Sequence, residues 1–208
     1  MAVAFRCHRH PLWHDKPLIL ASQSPRRLAL CEKIGVIPDL ICPADIDETP
    51  HKGEKPKEYA GRMARQKALT VQKHYPEHFI LAADTVVCCG KMILDKAEDR
   101  LSAETYLEKL SGRKHTVLGG ICLICPDGTV YYRLSISSVR MKRLSVQEKK
   151  AYLASGEWQG KAGGYAIQGQ AEQLIHSIKG SYANIVGLDV FMLSGMLAAA
   201  GFSHDIPE

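Results

Sequence analysis

The chain lacks every short motif that would announce its chemistry unaided. There is no G-x-S-x-G nucleophile elbow, no H-E-x-x-H metal helix and no G-x-G-x-x-G dinucleotide turn. The stretch "GEWQGKA" (156–162) imitates a phosphate loop but has one spacer too few, and no Ser or Thr follows its lysine. A covalent serine or cysteine enzyme therefore has no motif in its favour. No apolar run approaches the ~18 residues of a membrane span. The opening "MAVAFRCHRHPLWHDK" has no continuous apolar core of the secretory type. Nor is there a block of five or six like charges, so the 27 Lys and Arg scattered among 22 acids do not mark an extended nucleic-acid surface. A formal charge of +5 suits a small anionic substrate equally well.

What is present is an ordinary globular composition, 46% hydrophobic and 24% charged, in a chain long enough to bury a substantial core. Seven cysteines without a secretory signal read as reduced thiols of a cytosolic protein. Cys122 and Cys125 form a C-x-x-C, but they lie in a strand-like run where positions i and i+3 point to opposite faces. With no second pair to complete a zinc site, buried thiols are expected. Residues 1–16, with His8, His10 and His14, are expected to be a flexible leader to one domain at 17–208.

Strand and helix signals alternate along the rest, which predicts an α/β fold without internal repeats. "LILAS" reads as a buried strand, and Ser24-Pro25 as a helix start with Ser24 as cap. "DLIC" (39–42) is a second strand, followed by an exposed polar loop over 43–56. Residues 57–73 carry helical periodicity, with Tyr59, Met63, Lys67 and Thr70 at spacings of three and four. "FILAAD" (79–84) is a buried strand ending in an acid, and a hairpin turn is expected at Gly90-Lys91. A helix over 102–112 capped by Ser102, strands over 114–125 and 129–140, and a Ser145–Glu148 capping box follow. A glycine-rich loop (155–171), a strand candidate (173–181) and one apolar closing helix (184–200) complete the chain.

Two constellations carry chemistry. Arg26 and Arg27 stand on the first turn of a helix, where unpaired N–H groups already favour phosphate and two guanidinium forks would add to them. Exposed surface arginines are the competing explanation. Asp84 follows a buried strand, the place where open α/β sheets collect reactive groups, although an Asp there can also cap a turn. Asp45, Asp47 and Glu48 supply further carboxylates. Hydrolysis of a triphosphate needs such acids to hold a divalent cation and activate water, with cations such as Lys67 and Lys96 beside them. Lys67 falls among the apolar positions of its helix, where it either reaches into a site or snorkels past the stripe.

The segments "LILASQSPRRLAL", "DIDE", "RMARQKA", "AADTVV", "LSGRKHTV", "KAGGYAIQGQA" and "GSYANIVGL", in that order over about residues 18–200, resemble the Maf family of nucleotide pyrophosphatases. The resemblance implies a fold like that of the inosine triphosphate pyrophosphatases: a long, twisted mixed sheet and two lobes around a central cleft. It also implies cleavage of a nucleoside triphosphate to monophosphate and pyrophosphate with a divalent cation, Mg or Mn. By motif, Asp84 is similar to the family's water-activating residue, and Ser22, Ser24, Arg26 and Arg27 to its phosphate-binding turn. Glu48, Lys67 and Lys96 resemble its charged cleft residues, with Glu48 and Asp84 toward the metal. Arg26, Thr85 and Gln168 resemble the branch acting on dTTP and UTP, and the amide of Gln168 can both donate to and accept from a uracil or thymine edge. A modified-purine triphosphate, or a non-enzymatic role in septum formation, is the alternative. A nucleotide substrate, no nucleic acid, no membrane and a state compatible with a homodimer are the expected partnerships. Two positions and one segment depart from the family's usual pattern: Ala97, Asp189 and "VLGG" (117–120).

Overall fold

The structure is a computed structural model that describes residues 16–202. Residues 1–15 of the expected leader, with His8, His10 and His14, lie outside the described residues. The strands are β1 (Leu18–Leu20), β2 (Leu40–Ile41), β3 (Phe79–Cys89), β4 (Met92–Leu94), β5 (Lys114–Ile124), β6 (Val130–Met141) and β7 (Ile175–Lys179). The helices are α1 (Pro25–Glu32), α2 (Pro56–Gln72), α3 (Arg100–Leu110), α4 (Val146–Ser155), α5 (Tyr182–Val186) and α6 (Val190–Ala199), with a 3-10 turn at Gln170–Leu174.

The seven strands form one mixed sheet in the order β2-β1-β3-β5-β6-β7, with β4 also paired to β3. β1 runs parallel to both β2 and β3, and all other pairs are antiparallel. β3 decides where a site can form. One of its edges pairs continuously with β5 from Ile80 to Cys88. Its other edge meets β1 only at Phe79–Leu81 and β4 only at Val87–Cys89. Residues 82–86 of β3 thus face a gap in the sheet. Open sheets place ligands at such interruptions.

Alternation along the strands sends successive side chains to opposite faces. On one face Ile80, Ala82, Val86 and Cys122 pack under α2, whose Tyr59, Met63, Ala64, Ala68 and Val71 form its apolar stripe. α2 comes close because a Cβ on Gly120 would lie 2.3 Å from the Ala60 carbonyl oxygen. On the other face Leu18, Leu20, Leu81 and Ile121 pack against Cys31 of α1 and Leu193, Met196 and Leu197 of α6. Each such fully buried side chain stabilises the fold by roughly 1.5–3 kcal/mol. A second packing centre joins Val87, Leu94 and Val139 to Leu107 and Leu110 of α3, Tyr152 of α4, and Trp158 and Tyr165. The gap in β3's edge lies between the two. Cys122 and Cys125 fall in clusters on opposite faces, and burial pushes both thiols up to about 11.

Several local expectations need correction. The strand expected to end at Asp84 runs on through the β-branched Thr-Val-Val to Cys89, so Asp84 is mid-strand, beside the gap. Ser24 occupies the N-cap position of α1, but its hydroxyl makes no capping bond; its carbonyl oxygen accepts from the Arg27 and Leu28 amides. α3 starts two residues earlier than expected, because the Asp99 carboxylate accepts from the Ser102 amide and displaces Ser102 as cap. The closing helix is two helices. Gly187 at φ +150° breaks it, and Asp189 starts α6 by accepting from the Met192 amide. The Ser145–Glu148 capping box and the β3–β4 hairpin are as expected.

Candidate functional site

A cavity of about 660 Å³ opens at the gap. Asp84 and Thr85 are adjacent, yet the strand sends their side chains to opposite faces of the sheet. Each is met by one set of partners.

On the α2 face, the helical spacing that places Lys67 in line with Tyr59, Met63 and Val71 drives its ammonium into the protein. Lys67 is 8% exposed, so it does not snorkel to solvent. Its Nζ lies 2.6 Å from Asp84 Oδ1 and 2.7 Å from Glu48 Oε1. Glu48 Oε2 in turn lies 3.1 Å from Lys96 Nζ. The loop that carries Glu48 is fastened to α2: Tyr59 Oη donates to the Glu48 carbonyl at 2.6 Å, and Arg62 grips Glu54 through two bonds of 2.7 Å. Burial opposes ionisation of Glu48, but the Lys67 and Lys96 ammonium groups outweigh it and hold its carboxyl below the usual range. Asp95, near the same cluster, is shifted up by burial and by the Asp84 and Glu48 carboxylates, against the pull of Lys96.

On the α1 face, Arg27 is fixed by three of its donors. Nε donates to the Gly187 carbonyl oxygen at 3.0 Å, one terminal nitrogen to Ser22 Oγ at 2.9 Å, and the other to Thr85 Oγ1 at 3.2 Å. A guanidinium has five N–H groups, so two remain for a ligand. Ser22 Oγ also accepts from the Ser24 amide at 3.2 Å, and Arg26 Nε donates to the Val186 carbonyl oxygen at 3.2 Å. No carboxylate lies within ion-pair distance of Arg26 or Arg27 among the described residues. The arginines of this wall have no carboxylate in contact and Arg27 feels Asp84 and Glu48 only at longer range, whereas Lys67 and Lys96 touch acids directly.

Of the residues singled out from the sequence, Ser22, Ser24, Arg26, Arg27, Glu48, Lys67, Thr85, Lys96 and Gln168 all line the cavity. Asp84 stands one layer behind them, covered by Lys67. Asp45 lines the cavity too, whereas Asp47 turns away and accepts from the Thr49 amide at 2.8 Å. Gln168 is exposed and lines the cavity, whose lining also includes the apolar side chains of Val87, Val117, Tyr165, Ile167 and Ile185.

Sequence reasoning missed Lys161, which also lines the cavity. The strand-like bridges Lys96–Ala162 and Ala97–Gln159 swing its loop across to the cleft, and the Ala97 amide donates to the Lys161 carbonyl at 3.2 Å. Burial and then the nearby Arg26 pull the Lys161 ammonium below its ordinary value. The signal existed: a lysine in the glycine-rich "GEWQGKA" that fails as a phosphate loop. Also missed was His115, whose Nε2 lies 2.7 Å from Tyr165 Oη beneath the apolar wall.

Two carboxylates converge on one cationic point, the Lys67 ammonium, and oxygen donors of this kind are the ligands a hard divalent cation takes. Among the described residues no group of three His, Cys, Asp or Glu side chains encloses a metal by itself. Mg²⁺ is commonly held by one or two carboxylates with water and substrate phosphates completing the shell. Glu48 and Asp84 fit that role.

Fold and site together define a mixed α/β protein with a cationic cleft where one sheet edge is interrupted. The chain belongs to the Maf family, matching the Maf-like protein description over residues 17–200. It is 56% identical over 186 residues to the dTTP/UTP pyrophosphatase of Paramagnetospirillum magneticum, covering 89% of this chain and 98% of that one. Against the dTTP/UTP pyrophosphatase of Rhodospirillum rubrum it is 51% identical over 186 residues, 89% of either chain. A solved nucleoside-triphosphatase / dITP/XTP pyrophosphatase from Mycobacterium abscessus aligns at a TM-score of 0.42 and 19% identity, over 61% of this chain and 74% of that one. No helix among the described residues is long and apolar enough to cross a membrane.

Proposed function

We propose that this chain hydrolyses dTTP and UTP to the monophosphate and pyrophosphate. The observation that carries the reading is the pairing, across Asp84-Thr85, of an arginine wall without ion-pair partners among the described residues with a carboxylate–ammonium cluster. The names of relatives at 51–56% identity support the choice of nucleotide.

In this reading the triphosphate lies along the α1 wall, held by the open N–H groups of Arg26 and Arg27 and by Lys161. Glu48 and Asp84 would hold the divalent cation, which when bound would supply neutralising charge to the phosphates. Lys67 then leaves its two carboxylates for a phosphate oxygen, and that movement uncovers Asp84. Asp84 accepts the proton of the attacking water as the α–β anhydride bond breaks. The leaving pyrophosphate takes the electron pair, beside Lys67 and Lys96. The Gln168 amide meets the N3–H and a carbonyl of the pyrimidine, and the apolar side chains flank the ring.

The test is product analysis with Mg²⁺ or Mn²⁺ across dTTP, UTP, CTP and 7-methyl-GTP. Equal amounts of dTMP and pyrophosphate from dTTP are expected. Stepwise appearance of dTDP and orthophosphate would sink the proposal.

A further inference from the structure

A second cavity, of about 500 Å³, lies at the C-terminal end of β6 and shares no lining residue with the cleft. Ser111, Arg113, Arg140, Lys142, Arg143 and His176 are among its walls. Three features of the backbone assemble them. The Gly112 amide donates to the Lys142 carbonyl at 3.0 Å and the Met141 amide to the Arg113 carbonyl at 3.1 Å, fastening the turn before β5 to the end of β6. Ser111 Oγ accepts from the Leu144 amide at 2.8 Å, which leaves its own proton to donate. Finally, the β6–β7 register slips: Arg140 faces Ser177 but Met141 faces Ile175, so His176 is an extra, unpaired residue. Such a bulge re-aims a side chain, and here it brings an imidazole to the arginines.

The charge is lopsided. Lys142 is neutralised by Glu148, but Arg113, Arg140 and Arg143 have no carboxylate within ion-pair distance among the described residues. Three exposed guanidinium groups from two segments line this one cavity, like charges with no paired acid among the described residues. Forked donors approaching from several sides, with a hydroxyl and an imidazole, suit the tetrahedral oxygens and multiple charge of phosphate better than a carboxylate.

We propose that this cavity is a second binding site for a small phosphate-bearing anion. The ligand's charge would offset the like charges of the arginines and lock the turn before β5 to the β6–β7 bulge. Orthophosphate, pyrophosphate and a nucleotide monophosphate share this chemistry. The proposal does not rest on the assignment of the cleft.

The experiment is calorimetric titration of the whole protein, without metal, with orthophosphate, pyrophosphate and dTMP in separate arms and sulfate as a control. The variants are Arg113→Ser/Arg143→Ser, and Arg113→Lys/Arg143→Lys, which keeps charge but loses the forks. At least one phosphate anion should bind wild type with an equivalent per chain that the Ser variant loses. The arm that binds most tightly identifies the source. The Lys variant should be weaker by about tenfold or more, because an ammonium cannot make the paired, forked bonds of a guanidinium. dTTP turnover and circular dichroism should stay at wild-type values in both. Identical stoichiometry and affinity in all three proteins would overturn the proposal. So would sulfate binding as tightly as phosphate, which would reduce the site to charge screening, or binding of single-stranded DNA with none of the three small anions.

Discussion

Lys67 Nζ touches Asp84 Oδ1 and Glu48 Oε1 at 2.6 and 2.7 Å, so a single ammonium stands between the cavity and the carboxylate proposed to take the proton. Asp84→Asn keeps the shape and removes the base. Turnover of dTTP should drop by about 10²-fold or more, the usual worth of a positioned general base, while nucleotide still binds. Near-wild-type turnover in a folded variant would remove Asp84 from the reaction.

Removing the ammonium instead strands the acids. Lys67→Met should destabilise the fold by about 2–3 kcal/mol. That is below the ~3–5 kcal/mol of fully buried pairs, because Glu48 is partly solvated. The check is the urea midpoint of the variant against wild type at pH 7. Asp84→Asn/Lys67→Met should lose less than the two single changes added together, since the partners are coupled.

Arg27 tests geometry against charge. Its fork links Gly187, Ser22 and Thr85, and no lysine can make all three bonds from one nitrogen while keeping donors for a phosphate. Arg27→Lys should raise KM for dTTP by roughly tenfold, as the loss of about one charged hydrogen bond implies. Lys161→Met should act on KM in the same direction with little change in kcat. If instead kcat fell and KM held in both, the α1 wall would not be the phosphate cradle.

Gln168 tests base choice. Gln168→Glu sets a carboxylate against the pyrimidine carbonyl, and an unpaired polar group of that kind costs about 1–3 kcal/mol. kcat/KM for dTTP and UTP should fall by more than ~10-fold, and discrimination against 7-methyl-GTP should narrow. An unchanged ranking of dTTP, UTP, CTP and 7-methyl-GTP means that another group reads the base.

The parts of the site legible in the sequence are those set by short-range periodicity. The three-and-four spacing of Tyr59, Met63 and Lys67 placed a lysine on a buried helix face, and the apolar run before Asp84 placed that acid on a buried strand, although the strand runs on past it to Cys89. What escaped depends on contacts far apart in the chain. Lys161 reaches the cleft only because its loop bridges to Lys96 and Ala97, and Asp99 displaced Ser102 as a cap because both residue types fit that role. The break in the closing helix rests on one glycine inside an apolar run, where periodicity gives no warning. Two departures from the family pattern are explained by packing: a Cβ at Gly119 would lie 1.9 Å from Asn184 Oδ1, and Asp189 accepts from Ser135 Oγ at 2.5 Å while capping α6.

The His115–Tyr165 pair makes stability depend on pH. Burial lowers His115 to about 4 from an ordinary 6.5, so the fold holds the neutral imidazole. Below pH 6.5 the unfolded chain takes up a proton that the native state refuses until about pH 4. A depressed histidine therefore contributes stability above 6.5 that is lost as pH falls through that window. The full width corresponds to roughly 3 kcal/mol, an upper bound. Gln at position 115 cannot titrate but can still donate to Tyr165 Oη. In urea titrations from pH 7.5 to 4.5, wild type should lose up to about 3 kcal/mol more than His115→Gln does. The carboxylates common to both proteins cancel in that difference. Parallel stability profiles would show that His115 takes up its proton without unfolding, and that the pocket beneath the apolar wall admits water.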